Sequence, residues 1–300
     1  MTGFLADRVS GPSRLRELLA SGEPVLAPGV YDALGARLVE EAGFGAVYMT
    51  GFGTAASLLG RPDVGLVTMP EMVANARGIV RASGLPLIAD ADTGYGNATN
   101  VIRTVQEYEQ VGVAAIHIED QVMPKRCGHM EDKQVVPVDE MVSKVRAAVA
   151  ARGSSDLVII ARTDAGAIEG LAAAIERARR YRDAGADVLF VEATTSEEEI
   201  ECVASELSDV PLLFNWAEGG KTPPLSYDRI RDLGFAIVIF PITTLLVATA
   251  AMRQALAQIK RAGSPEQLLD QLPKFADFLE FIGLAEIRDL ERRFTTDADS

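Results

Sequence analysis

The feature that most constrains the fold of this chain is a short apolar run, rich in β-branched residues, that recurs eight times. The runs are continuous rather than alternating, which is typical of strands buried on both faces of a parallel sheet. They cover residues 25–29, 46–51, 86–92, 115–120, 157–164, 188–193, 211–216 and 236–241. We therefore predict eight parallel strands.

Helical patterns separate these runs, and most of them stop at a glycine, the expected signal for a helix C-terminus. They cover residues 34–43, 72–84, 100–112, 141–153, 171–185, 196–207 and 228–234. Asn100, Ser196 and Ser226 are suitable N-caps. Regular strand–helix alternation with short loops predicts an α/β fold, a (β/α)8 TIM barrel. A doubly wound open sheet is the alternative, but it would not need so many regular units.

The two ends of the chain lie outside this alternation. Residues 14–20 are predicted to form a helix before the first strand. We predict a single barrel domain over residues 1–300, in which residues 242–300 form a C-terminal helical region that packs on a neighbouring subunit. The uncharged stretch from Leu233 to Met252 resembles a membrane span, but Pro241 divides it. We interpret it as a buried strand, a turn and a helix.

Composition excludes several classes of partner. The net charge of −14 argues against nucleic acid and anionic membranes, since both are bound by basic patches. The two cysteines, Cys127 and Cys202, form neither a disulfide framework nor a zinc spacing. A reducing, cytoplasmic location is the expectation. The N-terminal sequence MTGFLADRVSG has no apolar segment of the kind that signals secretion.

Polar residues follow nearly every predicted strand. In a barrel of this kind the active site lies at the C-terminal ends of the strands, so these residues should meet at one rim. Random surface polarity would not fall this way in nearly every repeat, which indicates an enzyme. The residues are Thr50, Gly51, Asp90, Asp92, Glu119, Asp120, Arg162, Thr163, Asp164, Glu192, Asn215 and Pro241.

Two of these residues predict a metal site. Asp90 and Asp92 are spaced to project from one face of a strand end, and adjacent carboxylates repel unless a cation or proton lies between them. Neither has a basic neighbour in sequence, and oxygen ligands favour Mg²⁺ or Mn²⁺ over zinc. Glu119, at the next strand end, supports the metal interpretation. The alternative is an aspartate that caps a glycine-rich loop.

His117 and Arg162 have two interpretations each. His117 lies between apolar residues, so a core histidine with a hydrogen-bond partner is favoured over a metal ligand. A guanidinium at a strand end needs a partner, and it can bind a carboxylate with two hydrogen bonds. Arg162 is predicted to contact the substrate, or to pair with Asp164 or Glu192.

The segment KRCGHMEDK, residues 125–133, places a thiol in a loop after the fourth strand. Basic neighbours lower the pKa of a thiol, and exposure makes it available. Cys127 is therefore a candidate covalent nucleophile or general acid/base, and an inert, partly buried cysteine is the alternative.

Several motifs, taken in order, resemble the isocitrate lyase/phosphoenolpyruvate mutase superfamily over about residues 10–260. They are GVYDALGARLVEEAGF, YMTGFG, GRPDVG, DADTGYGN, HIEDQ, PKRCGH, ARTDA, VEA and N-x-x-EGG-x-TP. The resemblance implies a TIM barrel, Mg²⁺ as cofactor, and a homotetramer whose last barrel helix is exchanged between neighbours. It also implies chemistry through an enolate, and in the lyase branch cleavage of a C–C bond.

The resemblance assigns roles to individual residues. Asp90 and Asp92 match the metal carboxylates, and Asp63 and Glu119 match residues near the metal or its waters. The segment 50–52 matches the binding site for the α-keto acid. This segment consists of Thr50, Gly51 and Phe52. Lys125, Cys127, Gly128 and His129 match a mobile gate whose thiol protonates the departing carbanion. Arg162, Glu192 and Asn215 match substrate contacts, and Tyr48 matches a tyrosine near the alcohol proton.

The cysteine loop disfavours the phosphonate-forming mutases of the family. The motif NWAEGGKTP, residues 215–223, resembles the dimethylmalate lyase group. The expected substrate is a dicarboxylate or tricarboxylate of the 2,3-dimethylmalate or 2-methylisocitrate type, cleaved to an α-keto acid and a carboxylic acid. The alternatives are an oxaloacetate hydrolase or decarboxylase, and an enzyme of the carboxyphosphonoenolpyruvate or phosphoenolpyruvate mutase type.

Overall fold

A computed structural model describes residue 5, residues 10–152 and residues 156–295 of the chain. Eight parallel strands form one sheet; seven lie within the predicted apolar runs, and β1 extends one residue beyond its run. The strands are β1 Val25–Val30, β2 Val47–Met49, β3 Leu87–Asp90, β4 Ala115–Glu119, β5 Val158–Thr163, β6 Val188–Val191, β7 Leu213–Asn215 and β8 Ile237–Phe240. The predicted strand positions are confirmed.

The sheet curls into a nearly closed barrel. The order of hydrogen-bonded neighbours is β6-β5-β4-β3-β2-β1-β8-β7, so β1 pairs with both β2 and β8. A parallel bridge between Leu189 and Leu212 joins the ends of this series, and Leu189 N–H donates to Pro211 O at 3.0 Å. The fold is therefore the predicted (β/α)8 TIM barrel.

Helices connect the strands and follow the last one. They are α1 Gly11–Ala20, α2 Ala33–Glu41, α3 Gly51–Leu59, α4 Met69–Ala82, α5 Ala98–Gln110, α6 Val138–Ala151, α7 Gly166–Glu169, α8 Leu171–Asp183, α9 Glu197–Glu206, α10 Tyr227–Asp232, α11 Thr243–Ala262, α12 Phe275–Phe281 and α13 Leu284–Phe294. A 3₁₀ helix spans Glu266–Gln271. The sequence patterns did not predict α3 or α7.

Helix caps agree with the predictions in two of three cases. Ser196 and Ser226 cap α9 and α10 by accepting from the backbone N–H three residues on. Asn100 is not the cap of α5. Asn97 is the N-cap of α5, and Asn100 Oδ1 accepts a hydrogen bond from the Asn97 backbone N–H, so the two residues form a reciprocal pair. The wrong assignment arose because both residues in this pair are asparagine.

Alternation along the strands divides the core into two layers. One cluster joins the outward side chains of the strands to the helices, with Met49, Ile116 and Ile159 among them. The other fills the barrel and includes Ile160 and Phe190. Leu15 of α1 is fully buried in this inner cluster, so α1 covers the end of the barrel where the strands begin. The functional site is therefore expected at the opposite end, where the strands end.

The described residues divide into two compact units, one covering residues 10–245 and the other covering Leu5 and residues 246–295. The described part of the second unit contains most of α11, the 3₁₀ helix, α12 and α13. The uncharged stretch near Pro241 is a strand followed by a helix, as predicted. Among the described residues, no helix combines the length and apolarity that crossing a bilayer requires.

The burial of Leu15 generates a stability prediction. Leu15→Ala should lower the free energy of unfolding by about 2–5 kcal/mol, because it leaves a cavity at the closed end of the barrel. Urea denaturation measures the change, and Glu17→Ala, at an exposed position of the same helix, is the control. Equal stability of the two variants would contradict the role given to α1.

Candidate active site

Two carboxylates meet at the C-terminal end of β3. Asp90 ends the strand, and its Oδ1 accepts a hydrogen bond from Asp92 N–H at 2.9 Å. Asp92 lies beyond the strand with a φ of +47°, so a turn, not strand alternation, brings the two carboxylates together. The prediction of their proximity is confirmed, although the predicted cause is wrong.

The N-terminus of α3 lies against this pair. Gly51 N–H donates to Asp90 Oδ2 at 3.2 Å, and a Cβ on Gly51 would lie 2.4 Å from that oxygen. Thr50 caps the helix by accepting from Gly53 N–H at 3.2 Å. Phe52, in the first turn, lines the cavity at the barrel mouth. The positive end of the helix dipole makes this terminus suitable for an anion, and the Asp90 carboxylate already occupies part of it.

Lys125 supplies the basic partner that the sequence did not place near these carboxylates. Its Nζ lies 2.6 Å from Asp63 Oδ2 and 2.8 Å from Asp92 Oδ1. The side chain is only 2% exposed. Lys125 is therefore a buried counter-charge to the carboxylates, not an exposed member of a mobile loop.

Arg162, at the end of β5, contacts three carboxylates. Its Nε and Nη2 form paired hydrogen bonds with Asp164 at 2.9 and 3.1 Å. Nη1 lies 3.2 Å from Glu119 Oε2, and Nη2 lies 3.3 Å from Glu192 Oε2. Both predicted partners are present, and Glu119 is an additional one. Asn215 reaches the same group by donating from Nδ2 to Glu192 at 3.1–3.2 Å.

Lys133 is a functional residue that the sequence analysis missed. It is buried, its Nζ lies 2.8 Å from Asp164 Oδ1, and it also donates to the backbone oxygen of Gly128. The available signal was a second lysine in the same segment as Cys127. Lys133 therefore links the backbone of Gly128, next to Cys127, to Asp164, the carboxylate that also binds Arg162.

We call residues 121–135 the lid. An antiparallel bridge between Gln121 and Val135 fixes its base, and Val122 N–H donates to Gln134 O at 2.8 Å. Gly128 lies so close to the barrel that a Cβ there would be 2.4 Å from Arg162 Nη2. Only glycine allows this approach, so the lid is closed over the rim in this structure.

Closure sets the state of the Cys127 thiol. Burial, followed by the fields of Asp63 and Glu192, raises its pKa, and the backbone N–H of His129 and the charge of Arg162 only partly oppose this shift. The expectation of a lowered pKa is wrong because the closed lid removes the thiol from water. A protonated thiol suits a proton donor better than a nucleophile.

Tyr48 and His117 lie deeper in the barrel. The Tyr48 hydroxyl and His117 Nε2 are 2.9 Å apart, and both side chains are buried. His117 is the core histidine with a hydrogen-bond partner that the sequence favoured. Burial, followed by the field of Asp90, raises the pKa of Tyr48 well above its ordinary value, so Tyr48 is a neutral phenol here.

The rim carries more carboxylates than fixed cations. Burial raises the pKa of Asp92 to about 7 and that of Glu119 well above its ordinary value, although Lys125 opposes both shifts and Arg162 opposes that of Glu119. Within the described part of the chain, the buried Oε1 of Glu119 has no hydrogen-bond partner. The buried carboxylates of the rim are Asp63, Asp90, Asp92, Glu119, Asp164 and Glu192, and the buried cations that face them are Lys125, Lys133 and Arg162.

This excess of buried oxygen ligands fits a hard divalent cation. Within residues 10–152 and 156–295, no group of three or more His, Cys, Asp or Glu side chains could enclose a metal by itself. Mg²⁺ does not require such a group, because it keeps several waters and takes only one or two protein carboxylates. Asp90 and Asp92 meet that requirement. Asp63 and Asp92 share Lys125 as a partner, and Glu119 contacts Arg162 and lies within the field of Lys125.

A cavity of about 250 Å³ joins these parts at the barrel mouth. Most of the predicted residues line it, whereas Gly51, Asp92 and Glu119 are buried and are not part of its lining. Met130, Ala217 and Ile242 line it without having been predicted, and Glu218, Gly219 and Gly220 come from the motif N-x-x-EGG-x-TP. The predicted lining residues are Tyr48, Thr50, Phe52, Asp63, Asp90, Lys125, Cys127, Gly128, His129, Arg162, Glu192, Asn215 and Pro241.

Comparison with known sequences connects this geometry to a family. The family described as phosphoenolpyruvate phosphomutase matches residues 15–260. The 2,3-dimethylmalate lyase of Eubacterium barkeri is 46% identical over 95% of this chain and 98% of its own. The 2-methylisocitrate lyase of Aeropyrum pernix is 45% identical over 93% of this chain and 88% of its own.

Solved structures agree with the sequence matches. A 2,3-dimethylmalate lyase, described as a member of the PEP mutase/isocitrate lyase superfamily, superposes with a TM-score of 0.92 at 44% identity, over 97% of this chain and 98% of its own. An oxaloacetate acetylhydrolase bound to 3,3-difluorooxalacetate superposes with a TM-score of 0.90 at 40% identity, over the whole of both chains.

The partly buried, protonated state of Cys127 predicts slow alkylation. In a Cys202→Ser background at pH 7–8, iodoacetamide should modify the folded protein at least about tenfold more slowly than the urea-unfolded protein, because access is restricted and thiolate is scarce. Mass spectrometry measures the rate, which should rise with pH. Equal rates for folded and unfolded protein would contradict the closed lid.

Proposed function

Because the chain belongs to the phosphoenolpyruvate mutase/isocitrate lyase superfamily, we propose that it is a Mg²⁺-dependent carbon–carbon lyase. Its substrate is a substituted 2-hydroxy acid of the 2,3-dimethylmalate or 2-methylisocitrate type, and its products are an α-keto acid such as pyruvate and a carboxylic acid. The observation that carries this proposal is a single cavity lined by both the Cys127 thiol and the carboxylate cluster.

Two anion-binding elements supported by the geometry hold the substrate. The N-terminus of α3, at Thr50, Gly51 and Phe52, presents the positive end of its helix dipole to the α-keto acid part and its oxygen. Arg162 and Asn215, on the far side of the cavity, bind the second carboxylate, with Glu192 holding both side chains in place. The scissile bond then lies between these elements, beneath the lid.

The cleavage proceeds as a retro-aldol step. The substrate alcohol loses its proton, its C–O bond becomes the carbonyl of the α-keto acid, and the C–C bond breaks toward the carboxylic acid fragment. That fragment takes a proton on carbon from the Cys127 thiol, and the resulting thiolate regains a proton before the next turnover. Tyr48, neutral and hydrogen-bonded to His117, acts as a donor toward the oxygen rather than as the base.

The metal site is built from the carboxylates already described. Asp90 and Asp92 would hold a divalent cation, Mg²⁺ with Mn²⁺ as a substitute, and Asp63 and Glu119 would act through its waters. When bound, such a cation stabilises negative charge that develops on oxygen. Lys125 contributes a second positive charge to the same carboxylates, and the lid excludes water from the cavity.

A second candidate function is hydrolysis or decarboxylation of oxaloacetate. It is favoured by the oxaloacetate acetylhydrolase structure, which covers the whole of this chain at 40% identity. Mutase chemistry of the carboxyphosphonoenolpyruvate or phosphoenolpyruvate type is the remaining family alternative. The proton-donating thiol favours carbon–carbon cleavage over mutase chemistry, because the acid fragment must be protonated on carbon. It does not separate the lyase from the oxaloacetate enzymes, whose carbanion products also take a proton on carbon, so the substrate panel decides between them.

The proposal includes a cytoplasmic homotetramer in which residues 242–300 pack on a neighbouring subunit. Apolar side chains of the second unit support it. Val247, Leu256, Phe275 and Phe294 are 64–77% exposed in the isolated chain. Exposed apolar groups at this density are typical of a surface that another chain covers.

A substrate panel tests the proposed function. With Mg²⁺, the protein should release pyruvate from 2,3-dimethylmalate or 2-methylisocitrate, and Cys127→Ser should lower kcat by about 10²–10⁴-fold, as expected for loss of a general acid. Cys202→Ser, at the other cysteine, is the control. A coupled lactate dehydrogenase assay measures pyruvate. Full turnover by Cys127→Ser, or oxalate formed from oxaloacetate with no cleavage of the other acids, would overturn the proposal.

The metal assignment has its own test. Mg²⁺ should raise the melting temperature of the wild type in the absence of substrate, and Asp92→Asn should lose this increase because it removes an anionic ligand. Asp132→Asn is a matched control, since Asp132 also has a positive φ but carries its carboxylate on the exposed side of the lid. Calorimetry measures the shift, and an undiminished increase in Asp92→Asn would remove Asp92 from the metal site.

A further inference from the structure

The loop that follows β7, residues 216–222, contacts the His129 side chain of the lid through its backbone. Lys221 N–H donates to His129 Nδ1 at 3.0 Å. The preceding residue, Gly220, leaves room for the ring, because a Cβ there would lie 2.7 Å from Nδ1 and 2.8 Å from Cε1. The backbone of this loop is thus in direct contact with one edge of the imidazole.

This contact determines where the imidazole carries its hydrogen. A backbone N–H can only donate, so Nδ1 must be the acceptor and bears no hydrogen. The ring is neutral, since burial lowers the pKa of His129. A neutral imidazole has one N–H, which must then be on Nε2.

The opposite edge of the ring agrees with this assignment. His129 Nε2 lies 3.3 Å from Glu192 Oε1, and a carboxylate there can only accept. The amide of Asn215 is also near, with Nδ2 at 3.5 Å from Nε2, but its hydrogens are directed to the two oxygens of Glu192 at 3.1 and 3.2 Å. Both ring nitrogens therefore have a partner of the required kind.

We propose that Gly220 and Lys221 are positioning residues that hold His129 in its Nε2–H tautomer through their backbone. In this state His129 donates from Nε2 to Glu192 at the wall of the cavity and cannot accept the Cys127 proton at Nδ1. The backbone N–H of His129, not its ring, is the group that reaches the sulfur. The role in turnover rests on the proposed lyase function, whereas the tautomer does not.

The side chain of Lys221 is separable from this role. Its Nζ pairs with Glu131 Oε1 at 2.7 Å, but the two side chains are 29% and 80% exposed. Ion pairs this exposed contribute little. The backbone N–H, which Lys221→Ala retains and Lys221→Pro removes, is the group under test.

Nitrogen NMR of the resting protein tests the tautomer without any substrate. The chain has two histidines, so solid-state ¹⁵N spectra of histidine-labelled protein contain two ring systems, and His129→Asn identifies which is which. At pH 7–8 we expect a protonated Nε2 and an unprotonated Nδ1 for His129. A protonated Nδ1 would overturn the proposal whether or not the protein is a lyase.

Variants test the positioning. Lys221→Pro should shift His129 toward the Nδ1–H tautomer and lower kcat about tenfold relative to Lys221→Ala, which should keep the wild-type ¹⁵N pattern. Gly220→Ala should displace the ring and lower kcat likewise. Glu131→Gln, which removes only the surface ion pair, should keep full activity. If Lys221→Pro matched Lys221→Ala in both spectrum and kcat, the positioning role would be wrong.

If Lys221→Pro does not fold, the wild-type spectrum and Gly220→Ala decide the question. A Gly220→Ala protein with an unchanged spectrum and unchanged kcat would also overturn the proposal. Absence of lyase activity in the wild type would refute the proposed function, and the wild-type spectrum would still report the tautomer. The two failures are therefore distinguishable.

Discussion

Buried ion pairs between the lid and the barrel rim are the interaction on which the rest of the site depends. The parallel strands collect carboxylates at one end of the barrel, where they would repel one another if all were charged. Two of the cations that oppose them, Lys125 and Lys133, belong to the lid. Closing the lid and balancing the charge of the rim are therefore the same event.

This coupling explains why a thiol stands between two lysines. Lys125 reaches Asp63 and Asp92 on one side of Cys127, and Lys133 reaches Asp164 on the other, so the sulfur is carried to the cavity when both pairs form. The same burial raises the pKa of the thiol and keeps its proton available. The pKa values of Asp92 and Glu119 remain raised even with the lid closed, and a divalent cation bound beside these residues would stabilise their charged forms.

The sequence was sufficient for the barrel because its strands are continuous apolar runs, a strong local signal. It was not sufficient for α3, whose residues GFGTAASLL lack a polar face and follow a strand without a clear break. The rim residues were predictable because each follows its own strand. The pairing of Arg162 with Asp164 and Glu192 was predicted too. Other partners were not, since Lys125 contacts Asp92 and Lys221 contacts His129 across long separations in the chain.

Two findings have physical causes of the same kind. The prediction of a low thiol pKa counted the basic neighbours of Cys127 in sequence, yet in the fold Lys125 and Lys133 face carboxylates, and burial decides the pKa. Asp90 and Asp92 have no basic neighbour in sequence, yet Lys125 contacts Asp92 in the fold, because sequence proximity says nothing about a lid that folds back. Local pattern predicts elements, whereas charge balance depends on tertiary contact.

The most direct measurement of this account is a crystal structure of the protein with Mg²⁺ and oxalate, a stable mimic of an enolate-bearing acid. The account predicts density for the ion next to Asp90 and Asp92, oxalate at the N-terminus of α3, and the Cys127 sulfur facing the oxalate beneath a closed lid. An ion bound away from both aspartates, or a sulfur turned out of the cavity with the lid closed, would contradict it.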